Sequence, residues 1–402
     1  MFKSLNFKVI LFGFIFTFFS SFGQSFFLGL FNSSIRDALS ITHGQFGSIY
    51  ASATLLSSFI LVWLGKKIDD VNVLKFTIFV ILFLASASFL FSKISSIIFL
   101  FIAIFLMRLS GQGLMSHTAG TTITRFFEKT RGRALSISWL GLSLAEFVLP
   151  LLIIFLLTIM DWRNIWLIIS LTILIFLPIV SIFLVKNIKL NSRENSDIKK
   201  NTKLKIKQWT RTEVLKDYKF YIICANLLAM PWIFTGFAIF QSFILTSKNW
   251  GPFVIAQSFM VYSILSVLTL FITGFLIDKF TSRKLIIYMN IPLLIAVGVL
   301  FYFKHPISSF FFLGLMGISN GFANILGSST WAEIYGVKYI GSIKALTSGL
   351  MVFSTAFGTG FFGILIDNSF SIEQIALVSG SYILISISLL FLVKNKLNPQ
   401  YL

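Results

Sequence analysis

Twelve apolar stretches, each close to the length of a membrane-spanning helix, dominate this sequence and leave it one kind of solvent. They cover roughly residues 7–30, 46–64, 74–91, 97–119, 134–157, 165–185, 219–245, 253–276, 285–303, 308–330, 343–365 and 372–393. An α-helix needs about 20 predominantly apolar residues to cross ~30 Å of hydrocarbon. Backbone polar groups cannot stay unpaired in lipid, so a spanning chain is helical or a closed barrel. Strict alternation of apolar and polar residues is absent, which selects helices. Hydrophobic residues make up 56% of the chain and charged residues 12%, against about a quarter charged in ordinary soluble domains. The expected fold is an all-α integral membrane protein of about twelve transmembrane helices.

The net charge of +19 would suit a nucleic-acid partner, but the placement of the charges argues against one. Of the 33 Lys and Arg, five (Arg36, Lys93, Arg163, Lys248, Lys304) fall in alternate loops and one, Arg108, lies within a span. The rest fall in the remaining segments and both ends. By the positive-inside rule those segments face the cytoplasm, and both termini are expected there. The bilayer is therefore the expected partner and the cytoplasmic (inner) membrane the expected location. Lys3 and Lys8, residues 9–19 and Ser21-Phe22-Gly23 mimic a cleaved leader, but the apolar stretch continues to Leu30, long enough to span.

One long polar segment, rich in Lys, Asn and Ser, follows the sixth span. It predicts an N-terminal six-helix bundle over 1–185, a flexible basic cytoplasmic linker over 186–218, and a C-terminal six-helix bundle over 219–402. An internal repeat supports two pseudo-symmetric bundles. Gly65 and Asp69 after the second span correspond to Gly274 and Asp278 after the eighth. The same offset places Leu106-Met107 on Leu315-Met316, Ser110 on Ser319 and Gly132 on Gly341.

These motifs resemble the major facilitator superfamily. Gly65 and Asp69 fit its signature between the second and third spans, although Asp70 stands where Arg is expected and Asn72 where Gly is expected. The second copy, Gly274 to Asp278-Lys279 with Arg283-Lys284, keeps more basic character. Arg108-Leu-Ser-Gly111-Gln112-Gly113 is similar to the family's Arg-x-x-Gln-Gly pattern with the Gly one place early. Glu128-Lys-Thr-Arg131-Gly132-Arg133 and Asp161-Trp162-Arg163 also follow family habits. The resemblance covers essentially the whole chain. It implies alternating access, a central substrate site and a monomer. The stretch entering the fifth span is most similar to carriers of monocarboxylates and other organic anions.

Charged groups in hydrocarbon are costly and mark function. Arg108 and Glu146 each lie about midway through their spans, the fourth and fifth, which run antiparallel. The two are expected at one depth. Arg108 is a candidate ligand for an anionic solute, bidentate for a carboxylate, and Glu146 a candidate proton carrier; a structural ion pair between them is the competing expectation. Gln24, Gln112, Asn226, Asn320, Asn324 and Tyr262 sit on polar stripes and are further candidates for substrate contact, since an amide is expensive to hide. Interhelical hydrogen bonding would explain the same stripes. His117 is expected to be a hydrogen-bonded residue near the helix end. A cytoplasmic gate is expected from Asp69 and Asp278 pairing with Arg131, Arg133 or Lys344.

Nothing predicts a cofactor. The single cysteine, Cys224, offers no disulfide, no Cys cluster suggests zinc, and no phosphate-binding Gly-x4-Gly-Lys loop suggests ATP. The expected function is secondary transport of a small organic solute, anionic and proton-linked. Carriage of an aromatic or amphiphilic compound or a vitamin is the alternative, and a membrane-embedded enzyme or a sensor the reading outside transport.

Overall fold

The computed structural model describes residues 4–69, 71–127, 131–186, 207–336 and 338–399. Among these, twelve helices are long and apolar enough to cross a membrane, from Asn6–Gly23 to Ile372–Lys396. The chain divides into two compact units, Met1–Ser196 and Asp197–Leu402.

In the first unit the spans pack as pairs, first with fifth, second with fourth, and third with sixth; in the second unit the seventh pairs with the eleventh, the eighth with the tenth, and the ninth with the twelfth. The pairing scheme is the same in both, as a duplicated bundle requires. Polar side chains seal these contacts where a lipid-like interior offers no water. Thr17 Oγ1 on the first span donates to the Ser138 carbonyl on the fifth at 2.5 Å. Ser170 Oγ on the sixth donates to Ala85 O on the third at 2.8 Å. Ser258 Oγ on the eighth reaches Ser309 Oγ on the tenth at 2.9 Å. Rings fill the gaps between: Trp166 packs against Phe27, Phe31 and Phe91, with centroids 4.2–5.6 Å away.

Several elements depart from the uninterrupted spans and free linker expected above, the seventh span among them, which breaks at Phe240 between helices Tyr218–Ile239 and Gln241–Lys248; three others follow. The first span is not one helix: its α-helix Ser4–Ser20 passes into a 3-10 turn, Ser21–Gly23, then breaks at an extended Gln24 before helix resumes at Ser25. The ninth span begins as Ser282–Leu285 and a 3-10 turn, Ile286–Tyr288, and becomes α-helical only at Ile291, with Pro292 in its first turn. Proline suits that place because its missing N–H would be unpaired there anyway.

The third departure is in the linker. Residues 187–206 of it lie outside the described residues, but 207–217 is structured and packs on the second unit. Trp209 N donates to the Tyr335 carbonyl at 3.1 Å and its ring meets the Tyr335 ring edge-on at 5.4 Å. Lys338 N donates to Gln208 Oε1 at 2.9 Å. A short helix, Arg211–Lys216, starts on a reciprocal cap between Thr210 and Glu213. Gly336 between these contacts has φ +83°, a conformation open to glycine because it lacks a Cβ. The aromatic and capping residues at this end supply packing that the Lys/Asn/Ser composition of the whole segment obscures.

Candidate functional site

The site assembles where the first and fourth spans both leave α-helical geometry. Opposite the break at Gln24, the fourth span runs as a π-helix over Arg108–Met115, a form that recurs at functional positions. The two irregular segments touch through glycine backbones. A Cβ on Gly23 would lie 2.4 Å from the Met107 carbonyl and 2.5 Å from Gln112 N; one on Gly111 would lie 2.7 Å from Gly23 N. No other residue fits that approach without displacement.

Arg108 opens the π-helix and is 3% exposed. Its Nη1 donates to the Gly23 carbonyl at 3.0 Å and to Ser25 Oγ at 3.4 Å. Its Cζ lies 5.3 Å from the centre of the Tyr50 ring. The Tyr50 hydroxyl, on the second span, donates to the same Ser25 Oγ at 3.0 Å. Arg108 Nε is buried without a hydrogen-bond partner. Among the described residues every partner of the cation is thus neutral: a helix-terminal carbonyl, a hydroxyl and a ring face. The carbonyl end of a helix carries partial negative charge, which makes it a tolerable place for a cation.

Glu146 is buried on the fifth span, 8% exposed. Among the described residues it forms no hydrogen bond and no ion pair, and none joins it to Arg108. The two midspan charges do not make the structural pair that their equal depth suggested. Each keeps its charge-bearing group unpaired with an opposite charge, because Arg108 turns toward the first and second spans.

Gln24 and Gln112 follow the two touching glycines in sequence and are both half-buried. The structure therefore collects Arg108, Gln24 and Gln112 around one contact. Tyr50 and Ser25 belong to it and were missed from sequence. An aromatic residue among many gave no signal, and Ser25 lies one position beyond the stripe formed by Thr17, Ser20 and Gln24.

The second-unit candidates are dispersed. Asn226 is fully buried and accepts from Asn290 Nδ2 on its carbonyl at 2.6 Å and its Oδ1 at 2.8 Å. Ser319 joins this cluster, donating to the Met289 carbonyl at 2.9 Å. Asn226 is enclosed between helices here. Asn290, its partner, sits where the ninth span begins its α-helix, and the sequence did not single it out. Asn320 is half-buried, with Nδ2 donating to Ser266 Oγ at 3.0 Å. Asn324 is exposed. Tyr262 is 1% exposed and stacks on Phe234 with centroids 5.0 Å apart.

Of the expected gate, the side chains of Asp69, Asp278 and Arg131 lie outside the described residues, while Arg133 and Lys344 are exposed. A different carboxylate holds the turn between the eighth and ninth spans. Glu333 Oε2, near the end of the tenth span, accepts from Ser282 N at 2.9 Å and Ser282 Oγ at 2.5 Å, and Oε1 pairs with Arg283 Nε at 3.0 Å. Arg283 Nη1 also donates to Asn398 Oδ1 at 2.7 Å. His117 is hydrogen-bonded, as expected, with Nε2 3.0 Å from the carbonyl of Gly65, but its own span continues to Phe126, so it does not lie near that helix end.

Comparison with known proteins follows the same lines. The model of the Major Facilitator Superfamily matches residues 13–343. A search of curated proteins returns no match. Among solved structures, a bacterial homologue of the human lysosomal transporter Spinster, inward-facing and unoccupied, superposes with a TM-score of 0.71 at 15% identity, covering 99% of this chain and 98% of that one. The nucleoside transporter NupG gives 0.69 at 14% identity, covering 97% of this chain and 99% of that one. Two six-span units with a common pairing scheme, and a family match that takes in most of both, make this chain a member of the major facilitator superfamily, a multi-pass membrane transporter and not an enzyme.

Proposed function

We propose that the chain moves a small organic anion across the cytoplasmic membrane by alternating access, coupled to protons, with Arg108 as the anion ligand and Glu146 as the proton carrier. The observation that carries this reading is the Arg108 guanidinium, nearly fully buried within a span, with neutral partners only and with Nε unpartnered. A buried cation normally has an opposite charge nearby. A carboxylate arriving from solution would supply it and would suit the planar fork of the guanidinium. Gln24 and Gln112, each next in sequence to one of the touching glycines, are the residues proposed to contact the remainder of the solute. Glu146, buried and alone, is costly as an anion in hydrocarbon, and a proton removes that cost.

A neutral solute, such as the nucleoside named for one structural relative, would leave the Arg108 charge unanswered. An amphiphile would need far more room than the apolar cavity of the second unit lined by Cys224, Leu227, Gly327, Trp331 and Met351 offers, about 30 Å³.

The test uses purified protein in liposomes loaded with a pH dye, offered pooled carboxylates, vitamins and aromatic compounds with and without a proton gradient. Mass spectrometry identifies what enters. Carboxylate uptake with proton entry, lost in Arg108→Ala, supports the reading. Uptake of neutral or cationic compounds alone, indifferent to the gradient, overturns it.

A further inference from the structure

Ser20, Ser21 and Gly23 mark a weak point in the first span, of the kind at which helices kink. No proline lies in residues 4–39, yet the chain leaves the helix at Gln24, with φ −84° and ψ 153°. In hydrocarbon an interrupted backbone persists only where other groups take up what the interruption frees. Arg108 is such a group. Its Nη1 bonds Gly23 O on one side of Gln24 and Ser25 Oγ on the other, so one nitrogen bridges the break. The Gly23–Gly111 contact brings the fourth span close enough for this reach. The π-helix that starts at Arg108 departs from α geometry at the same level.

We infer that Arg108 is the pin of a hinge at Gln24, holding residues on both sides of the break, with Gly23 and Gly111 as the positioning residues that bring the guanidinium to it. The hinge separates helix Ser4–Ser20 from the helical segments that continue to Leu39. Hinges are few-residue stretches that absorb backbone rotation, and an extended residue between two helical segments is one. The pin is a charge-assisted bond, so its strength depends on the guanidinium charge remaining uncompensated. A carboxylate taken on the Nε edge of the fork neutralises that charge and loosens the grip on Gly23 and Ser25. The same residue then senses the anion and releases the first span. This last step rests on the anion reading of Arg108 given above; the pin itself does not.

Hydrogen exchange followed by mass spectrometry on the purified full chain tests both, read at peptides covering residues 21–31. Arg108→Gln is expected to raise exchange there by about tenfold or more, the usual consequence of losing a hydrogen bond to a charged group, while peptides from the tenth span stay as protected as before. Arg108→Lys, which keeps the charge and loses the fork, serves if the Gln variant unfolds, and is expected to give a smaller rise in the same peptides. Millimolar lactate, succinate and benzoate, against chloride, are then added to the unsubstituted protein. A rise at 21–31 with any carboxylate supports the coupling. A rise in the variants without any carboxylate effect supports the pin and removes the anion-triggered release. Unchanged exchange at 21–31 in a folded Arg108 variant overturns the hinge pin, whatever the carboxylates do.

Discussion

The Arg108 guanidinium donates to the Gly23 carbonyl at 3.0 Å, tying the fourth span to the end of the first helix, and among the described residues none of its bonds reaches a carboxylate. The cation is therefore placed by backbone geometry. An arrangement in which Glu146 neutralised it would leave an incoming anion little to gain. In the observed one, no ion pair joins Arg108 and Glu146, as the function proposed above requires.

Replacing Arg108 by Lys is expected to reduce carboxylate uptake at least about tenfold, because an ammonium keeps the charge and loses bidentate geometry. Initial rates in proteoliposomes over a range of solute concentrations check this. A Lys variant with unaltered rate and apparent affinity would show that the guanidinium is not the ligand.

Glu146→Gln is expected to leave the protein folded, since the amide adds no charge to a buried position and breaks no hydrogen bond seen among the described residues. Uptake by the variant should lose its dependence on the proton gradient and flatten in its pH profile. Dye-monitored proton entry alongside labelled solute distinguishes the cases. Retained proton entry with an unchanged profile would assign the coupling elsewhere.

Asn290→Ala should destabilise the second unit by about 1–3 kcal/mol, the cost of leaving buried acceptors without their donor. Asn290 supplies both bonds to Asn226, at 2.6 and 2.8 Å, and all three residues of the cluster with Ser319 are fully buried. Thermal unfolding in detergent measures the loss, and Ser381→Ala, on an exposed hydroxyl bonded only within its own helix, is the control that should not move.

The cap at residues 210–213 carries a pH prediction. The Thr210 backbone N–H, then its hydroxyl and Lys207, hold the Glu213 carboxyl below its usual range. A depressed carboxylate contributes above its unfolded pKa and loses that contribution as pH falls through its folded one. Helix Arg211–Lys216 should therefore hold at neutral pH and fray on acidification below the ordinary carboxylate range. Glu213→Gln should remove most of the pH dependence. Exchange rates of residues 207–217, corrected for the intrinsic effect of pH, provide the measurement.

Much of the architecture follows from composition along the chain. Twelve apolar runs of spanning length have one low-energy solution in lipid, so span number, helical class and the duplicated six-span plan were legible before any coordinates. Midspan Arg108 and Glu146 were legible for the same reason: in such runs a charge is conspicuous because it is expensive. Where those charges point was decided by tertiary structure. Depth along a helix says nothing about rotation around it, and rotation sends Arg108 toward Gly23, Ser25 and Tyr50 and leaves Glu146 without a partner among the described residues. Nor does the apolar run reveal the break at Gln24: no proline marks it, and Ser21 and Gly23 before it read as part of a continuous span. At the break the fourth span presents Gly111 at the height of Gly23 and a guanidinium that takes up the Gly23 carbonyl. The docked end of the linker has the same origin: Gln208 and Trp209 read as loop residues until Tyr335 and Lys338, more than a hundred positions away, give them partners. Sequence determines which groups must leave water, and only the assembled helices decide which of them meet.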